Sequence, residues 1–293
     1  MDAKSQTSLD ILCITGPTAS GKTARAVAEA LARGGEVISV DSRQVYRHLD
    51  IGTEKANKTE LRGVPHHLID IREPTEVYSA GDFVDDASRL IAEISARGKL
   101  PILAGGTHFY FDALLNGLPV ATDPNDALRS ALEPLTNEEL LARIAAADPR
   151  RAQELDPRNR RRLVRALEII SAHGSVPSRT TRTAHYRTEW IVIDPPLLQL
   201  RERIDARLAQ ALGRGLIHET AWARDTLGDA RLNELGLEYR VVGEFLRGER
   251  SEASLLPALS AKLWQYARRQ KAWLRKLRDE HAIAEAPSHP GRN

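Results

Sequence analysis

The sequence predicts an α/β fold in which helices cover a parallel β-sheet and a helical segment is inserted before the last strand. Two observations predict it: short apolar runs typical of buried strands alternate with helical segments, and a glycine-rich turn joins the first strand to the first helix. With 42% hydrophobic and 28% charged residues among 293, the chain can bury a large core and is too charged for a membrane bundle. A single cysteine, Cys13, excludes intrachain disulfides and multi-cysteine zinc sites and is typical of a reducing compartment, so we expect the cytoplasm.

The first half of the sheet follows directly from the pattern of the chain. An apolar run predicts a buried strand at 9–15, and the Ala-rich segment 22–33 is predicted as a helix that ends at Gly34 and Gly35. A second apolar run at 36–40 predicts the next strand.

The later elements carry cap signals or amphipathic spacing. Ser79, followed three residues later by Asp82, is typical of a helix start, and Gly98 is typical of its end. We expect further strands at 68–71, 99–104 and 190–194, and long amphipathic helices at 197–213 and 252–278.

The segment 120–185 differs from the rest, because prolines interrupt Ala- and Arg-rich helical sequence and no strand-like run occurs there. We therefore predict a core at 1–119 and 186–293 and a helical insertion at 120–185. Residues 285–293 are expected to be disordered. The apolar run near the start is too short for a signal peptide or a membrane span, so we expect no membrane association.

A phosphate-binding motif, G-x-x-x-x-G-K-[ST], lies between the first strand and the first helix, where its mechanism requires it. This motif predicts a P-loop NTPase-like fold. Lys22 would neutralise phosphate charge, and the Thr23 hydroxyl could hold Mg²⁺. A nucleotide triphosphate and a diphosphate ester would satisfy the same donors. The motif consists of Gly16, Pro17, Thr18, Ala19, Ser20, Gly21, Lys22 and Thr23.

Two further positions fall at the predicted carboxyl ends of strands, where parallel α/β sheets bind their ligands. Asp41 follows the second strand, which suits a catalytic base, although an Asp before Ser42 could equally cap a turn. Thr107 follows Gly105 and Gly106, which would permit close backbone approach.

The formal charge of +2 conceals two cationic stretches. Ten arginines stand against three acids between Arg150 and Arg187, and seven basic residues without an acid lie between Lys262 and Arg278. Such stretches are expected in a protein that binds a phosphate backbone, although solvated helix faces look the same. The apolar spacing of the second stretch favours core packing for its aromatic residues, among them Tyr266.

These segments together resemble the bacterial type of tRNA dimethylallyltransferases, also called isopentenylpyrophosphate transferases, over roughly residues 11–275. The most specific matches are GPTASGKT, then VDSRQVYRHLDIGTEK at 40–55 and AGGTHFYFDALLNGL at 104–118. RRRLVRALEI at 160–169 and ARRQKAWLRK at 267–276 also match.

The resemblance implies that the phosphate loop holds the diphosphate of dimethylallyl diphosphate and that ATP is not consumed. The dimethylallyl group would pass to N6 of the adenosine 3′-adjacent to the anticodon of tRNA. Lys22 and a Mg²⁺ ion on Thr23 would stabilise the charge on the departing diphosphate. The adenine amine is a poor nucleophile because its lone pair is delocalised, and the resemblance assigns the required base to Asp41.

The same resemblance implies further contacts. Arg240 corresponds to an arginine near the diphosphate, whereas Glu238 stands where many members have glycine and Leu235 where some have another arginine. The tRNA contacts near the target base would come from Asp41, Ser42, Arg43, Gln44 and Thr107. The anticodon stem-loop would be held by a helix of the insertion that carries Arg161, Arg162, Leu163, Val164 and Arg165.

Three alternatives remain open at this point. A small-molecule P-loop kinase would transfer a phosphoryl group from ATP, and an isopentenyltransferase of free adenine nucleotides would have little use for an Arg-rich insertion. A non-catalytic RNA-binding protein would not need Lys22, Thr23 and Asp41 together. We expect a monomer without an obligate protein partner.

Overall fold

The computed structural model of the protein describes residues 9–118, 125–177 and 186–281. A five-stranded parallel sheet with the order β3-β2-β4-β1-β5 forms its centre. The predicted class, a P-loop NTPase-like parallel sheet flanked by helices, is confirmed. The strands are β1 (Leu9–Thr15), β2 (Gly35–Val40), β3 (His66–His67), β4 (Leu100–Gly105) and β5 (Tyr186–Val192).

Two strands differ from their predicted positions by more than one residue, each for a physical reason. The strand expected at 68–71 is wrong: β3 comprises only His66–His67, and Leu68 and Asp70 have φ of 62° and 56°, which a strand does not allow. The last strand begins at Tyr186 instead of residue 190. It is an edge strand whose outer face stays half-exposed, so its first residues can be polar and hide the pattern.

Helices form the remaining regular structure of the described residues. The capping box of Ser79 and Asp82 is confirmed, with Ser79 N donating to Asp82 Oδ2 over 2.8 Å. The helices in the first half of the chain are α1 (Lys22–Arg33), α2 (Lys58–Leu61), α3 (Ala80–Ala96) and α4 (His108–Asn116). The later ones are α5 (Asp126–Leu132), α6 (Asn137–Ala147), α7 (Pro149–Glu154), α8 (Arg160–His173), α9 (Leu197–Arg214), α10 (Leu216–Leu232), α11 (Leu237–Leu246) and α12 (Glu252–His281).

The described residues group into two compact units, one within Met1–Phe111 and Ala184–Asn293, the other within Asp112–Thr183. The sheet unit has a core between strands and α1, and a second one in which α9, α11 and α12 pack through residues such as Leu208, Val242 and Leu263. The Asp112–Thr183 unit has its own core, built from α5, α6 and α8.

Three further predictions concern Cys13, membrane-spanning helices and the C-terminal residues. Cys13 is fully buried in β1, and burial raises the pKa of its thiol. In the described part of the chain, no helix is both long and apolar enough to cross a membrane. The disorder expected at 285–293 lies outside the described residues.

Candidate active site

The phosphate loop forms a tight turn between β1 and α1. A glycine is required at position 16, because a Cβ there would lie 2.4 Å from the backbone oxygen of Ile193. Gly21 has a φ of 90° and takes the left-handed conformation from which α1 starts. The loop thus leads into the N-terminus of a 12-residue helix, which is the arrangement that attracts anions.

Lys22 lies against this loop. Its Nζ donates to the backbone oxygen of Pro17 over 2.7 Å. Burial lowers the pKa of Lys22 to about 8, the Asp41 carboxylate opposes this shift, and Arg207 adds to it. The ammonium group therefore keeps its charge in most molecules at neutral pH, and a bound anion would raise its pKa again.

Two hydroxyl groups of the loop can take part in binding an anion or a metal. Ser20 Oγ is buried and has no hydrogen-bond partner among the described residues. Thr23 is exposed at the start of α1, and its hydroxyl makes no hydrogen bond within the described ranges. Oxygen ligands of this kind suit Mg²⁺, which keeps most of its water and binds through few protein groups and substrate phosphates. The loop therefore fits a Mg²⁺ ion held by Thr23.

Arg207 of α9 reaches the phosphate loop and was not among the residues predicted from the sequence. Its Nη1 donates to Thr18 Oγ1 over 2.6 Å and its Nη2 to Glu238 Oε1 over 3.1 Å, while Glu54 lies 3.7 Å from its Nε. That Nε is buried and has no hydrogen-bond partner in the described part of the chain. Burial raises the pKa of both carboxyl groups, and Arg207 opposes the shift. The loop thus has a second cation with donors to spare.

Gln270 of α12 also contacts the phosphate loop, and its sequence position did not predict this contact. Thr18 N donates to its Oε1 over 2.9 Å, and its Nε2 donates to the backbone oxygen of Gly106 over 3.0 Å. Gln270 therefore ties the phosphate loop to the glycine turn after β4. A polar residue inside an otherwise apolar helical stripe was the available signal, because a buried amide must find partners.

Asp41 caps a turn, which is one of the two interpretations that the sequence left open; its role as a base stays a prediction. Its Oδ1 accepts the backbone N–H groups of Arg43 at 2.8 Å and Gln44 at 3.2 Å, which makes it the cap of a turn. Its Oδ2 makes no hydrogen bond to any residue that the structure describes. One oxygen thus fixes the carboxyl group at the end of β2, and the other can accept a proton.

The residues next to Asp41 differ in how many internal hydrogen bonds they form. Ser42 N donates to Thr107 Oγ1 over 3.2 Å, which joins the ends of β2 and β4. The amide of Gln44 is used internally, since it accepts from Ser39 and donates to the backbone oxygens of residues 53 and 54. Arg43 forms no ion pair with a described carboxylate.

Two aromatic side chains of α12 border the same region. Trp273 stacks on His108 with ring centroids 3.9 Å apart, and burial together with Lys22 lowers the pKa of His108 to about 3. The prediction that Tyr266 packs in the core is wrong, because 37% of it is exposed. Burial of its hydroxyl, and then the Asp41 charge, raise the pKa of Tyr266 to about 12.

The described contacts of Arg240 do not involve the phosphate loop. It is exposed on α11, and its Nη2 donates to the backbone oxygen of Asn233 over 2.9 Å. Among the cations contributed by α9 and α11, Arg207 contacts the loop and Arg240 does not. A role for Arg240 near the diphosphate stays a prediction.

The arginines of α8 separate into two groups. Arg165 pairs with the buried Glu168 at 3.0 Å, Leu163 is fully buried in the core of its unit, and Val164 is half-buried. Arg161 and Arg162 are exposed and form no ion pair within the described ranges. Only these last two keep their guanidinium groups available for an external anion.

α12 shows a similar division. Lys271 and Arg278 both pair with Asp194, which follows β5. Four other cations of this helix are exposed and make no ion pair in the part of the chain that the structure describes: Lys262, Arg268, Arg269 and Arg275.

Comparisons with known proteins agree on one family. Residues 44–277 match the family described as IPP transferase. A tRNA dimethylallyltransferase of Anaeromyxobacter sp. (strain Fw109-5) is 42% identical over 283 residues, which cover 94% of each chain. A tRNA dimethylallyltransferase of Thermomicrobium roseum is 40% identical over 92% of this chain and 84% of its own.

Solved structures give the same result. A tRNA isopentenylpyrophosphate transferase from Bacillus halodurans is similar with a TM-score of 0.68 and 36% identity, covering 92% of this chain and 87% of that one. A eukaryotic dimethylallyltransferase acting on tRNA is similar with a TM-score of 0.78 and 27% identity, covering 91% and 70%.

Proposed function

The chain belongs to the IPP transferase family, and we propose that it transfers the dimethylallyl group of dimethylallyl diphosphate to N6 of the adenosine 3′-adjacent to the anticodon of tRNA, releasing diphosphate. One observation carries this proposal: two cations, Lys22 and Arg207, lie at a phosphate loop beside a carboxylate, Asp41, whose second oxygen has no hydrogen bond to a described residue. A diphosphate leaving group needs the first feature, and a weakly nucleophilic amine needs the second.

The loop would bind the diphosphate through its backbone N–H groups and the start of α1. Lys22 would exchange its contact with the Pro17 oxygen for a phosphate oxygen, and Arg207 would offer the donors that Thr18 and Glu238 leave free. When bound, a Mg²⁺ ion on Thr23 would neutralise further charge on the diphosphate. These groups act most strongly where charge accumulates, which is on the departing diphosphate.

The bond changes balance without another reactant. The N6 lone pair forms a bond to the allylic carbon, and the bond between that carbon and the diphosphate oxygen breaks with its electron pair going to the diphosphate. The N6 proton passes to Oδ2 of Asp41. Because Oδ1 is held by two backbone N–H groups, the free oxygen has a fixed direction for accepting that proton.

tRNA binding would use exposed cations that form no ion pair with another described residue. Arg161 and Arg162 in the insertion and the four exposed cations of α12 are the candidates, and each phosphate contact would contribute to the salt dependence. Arg43, Ser42 and Thr107 would contact nucleotides around the target base. The adenosine must leave its stack, as for other enzymes that modify a base. We further propose that the protein works in the cytoplasm as a monomer, which its mass in solution would test.

The experiment uses purified protein, Mg²⁺, dimethylallyl diphosphate and unmodified tRNA without ATP, and detects the product by mass spectrometry. We expect one dimethylallyl group on the adenosine beside the anticodon, and no product on a matched tRNA that carries guanosine there. Prenylation of free adenine nucleotides at the same rate, or turnover that requires ATP, would contradict the proposal.

A further inference from the structure

Arg207 is held at the phosphate loop by a carboxylate that itself has no contact with the loop among the described hydrogen bonds. The side chains of Arg207 and Glu238 are 17% and 14% exposed, so water competes little for their ion pair. Glu238 stands in the first turn of α11, and its neighbour Tyr239 is buried and donates to Glu219 over 2.8 Å. The segment that carries Glu238 is therefore fixed.

The two carboxylates beside Arg207 contribute differently. Glu54 is shared, because its Oε1 lies 3.2 Å from Arg214 Nη2 and 3.7 Å from Arg207 Nε, the second distance being too long for a hydrogen bond. Glu238 forms an ion pair with Arg207 alone among the residues that the structure describes. The direction of the guanidinium plane is thus set by Glu238 on one side and by Thr18 on the other.

A guanidinium group has five N–H donors in one plane, and these two contacts use two of them. The remaining donors include the buried Nε, which has no partner within the described ranges. Held in this plane, they are ready to meet oxygens without first reorganising a long, flexible side chain.

We propose that Glu238 is a positioning residue for prenyl transfer: it holds Arg207 against Thr18 so that the free donors of Arg207 meet the departing diphosphate. The inference rests on the proposed function, in which Arg207 binds that diphosphate. Glu238 acts through Arg207 and does not touch the substrate.

A double-mutant cycle tests this inference, with Glu238→Ala, Arg207→Ala and their combination. Two quantities are measured for each variant: the dissociation constant of inorganic diphosphate with Mg²⁺ by calorimetry, and the single-turnover rate of tRNA prenylation. We expect Glu238→Ala to lower both affinity and rate roughly tenfold in the native protein and less than about twofold in the Arg207→Ala background, as for coupled neighbours. Glu238→Gln keeps an oxygen acceptor for Nη2 and should stay within about threefold of the native protein.

Glu244→Ala is the matched control. Glu244 is a half-buried carboxylate on the same helix and pairs with Arg250 at 2.6 Å, so its loss reports any general effect of removing an ion pair from α11. We expect the diphosphate affinity and the prenylation rate of Glu244→Ala to equal those of the native protein.

The outcomes separate the inference from the proposed function. If native protein prenylates tRNA but Glu238→Ala has the same effect in both backgrounds, or none, the positioning role is wrong. An equal loss in Glu244→Ala would also overturn it. If native protein does not prenylate tRNA, the proposed function fails, while the cycle on inorganic diphosphate still decides whether Glu238 positions Arg207.

Discussion

Replacing Asp41 by asparagine separates proton removal from the formation of the turn. Asparagine keeps an oxygen at Oδ1 to accept the backbone N–H groups of Arg43 and Gln44, now 2.8 and 3.2 Å away, but its amide nitrogen cannot accept a proton. The contribution of a general base is about 10²–10⁴ in rate, so Asp41→Asn should lower the single-turnover rate by roughly two orders of magnitude or more. Its free energy of unfolding should stay near that of the native protein.

Asp41→Ala removes both functions. It should lower the rate as much as asparagine does and, in addition, lower the free energy of unfolding by about 1 kcal/mol, because the two N–H groups lose a capping carboxylate. The assay is prenylation of saturating tRNA in a single turnover, with tRNA affinity measured separately by fluorescence and stability by urea unfolding. An Asp41→Asn rate within a few-fold of the native rate would refute the assignment of the base, whatever alanine does.

Further predictions concern metal binding, tRNA binding, Lys22 and the contacts by which Gln270 joins the phosphate loop to the turn after β4. Thr23→Ala should weaken binding of dimethylallyl diphosphate at limiting Mg²⁺ in a titration, and unchanged affinity there would argue against a Thr23-bound metal. Arg162→Ala should reduce the slope of log affinity for tRNA against log salt by roughly 0.7–0.9, whereas Arg158→Ala, which removes an arginine already paired with an acid, should leave it unchanged. Because the protonated form of Lys22 attracts diphosphate and burial lowers the pKa of Lys22 to about 8, the affinity of the native protein for inorganic diphosphate should fall, relative to that of Lys22→Arg at the same pH, as the pH rises through about 8. Gln270→Leu leaves the backbone N–H of Thr18 and the backbone oxygen of Gly106 unpaired. It should lower the free energy of unfolding, measured in urea, by about 1–3 kcal/mol, and a change near zero would contradict a stabilising role of Gln270.

Elements with strong local signals could be predicted from the sequence almost to the residue. β1 and α1 have the expected bounds because an apolar run, a glycine turn and a glycine stop mark them. The two-residue β3 could not be found in this way. It is defined by its pairing with Val37 and Ile38 of β2, and pairing is not encoded in its own short sequence.

The residues of the candidate active site differ in the same way. Lys22 and Thr23 belong to a recognisable motif, and Asp41 directly follows a predicted strand. The positions of all three could therefore be predicted from the sequence. Arg207 and Gln270 come from helices distant in the chain, and each looks like an ordinary helical residue in its own surroundings. Their role becomes visible only when the fold brings them to the loop.

The distant residues explain why the loop keeps its shape before an anion is bound. Thr18 is held at its backbone N–H by Gln270 and at its hydroxyl by Arg207, so α9 and α12 both fix the middle of the motif. A phosphate loop held in this way does not need to reorganise when the diphosphate arrives or when charge builds up on it. Loss of either contact would leave Thr18 less firmly held. Because Glu238 holds Arg207, a substitution at Glu238 is expected to affect the loop even though Glu238 does not contact the motif.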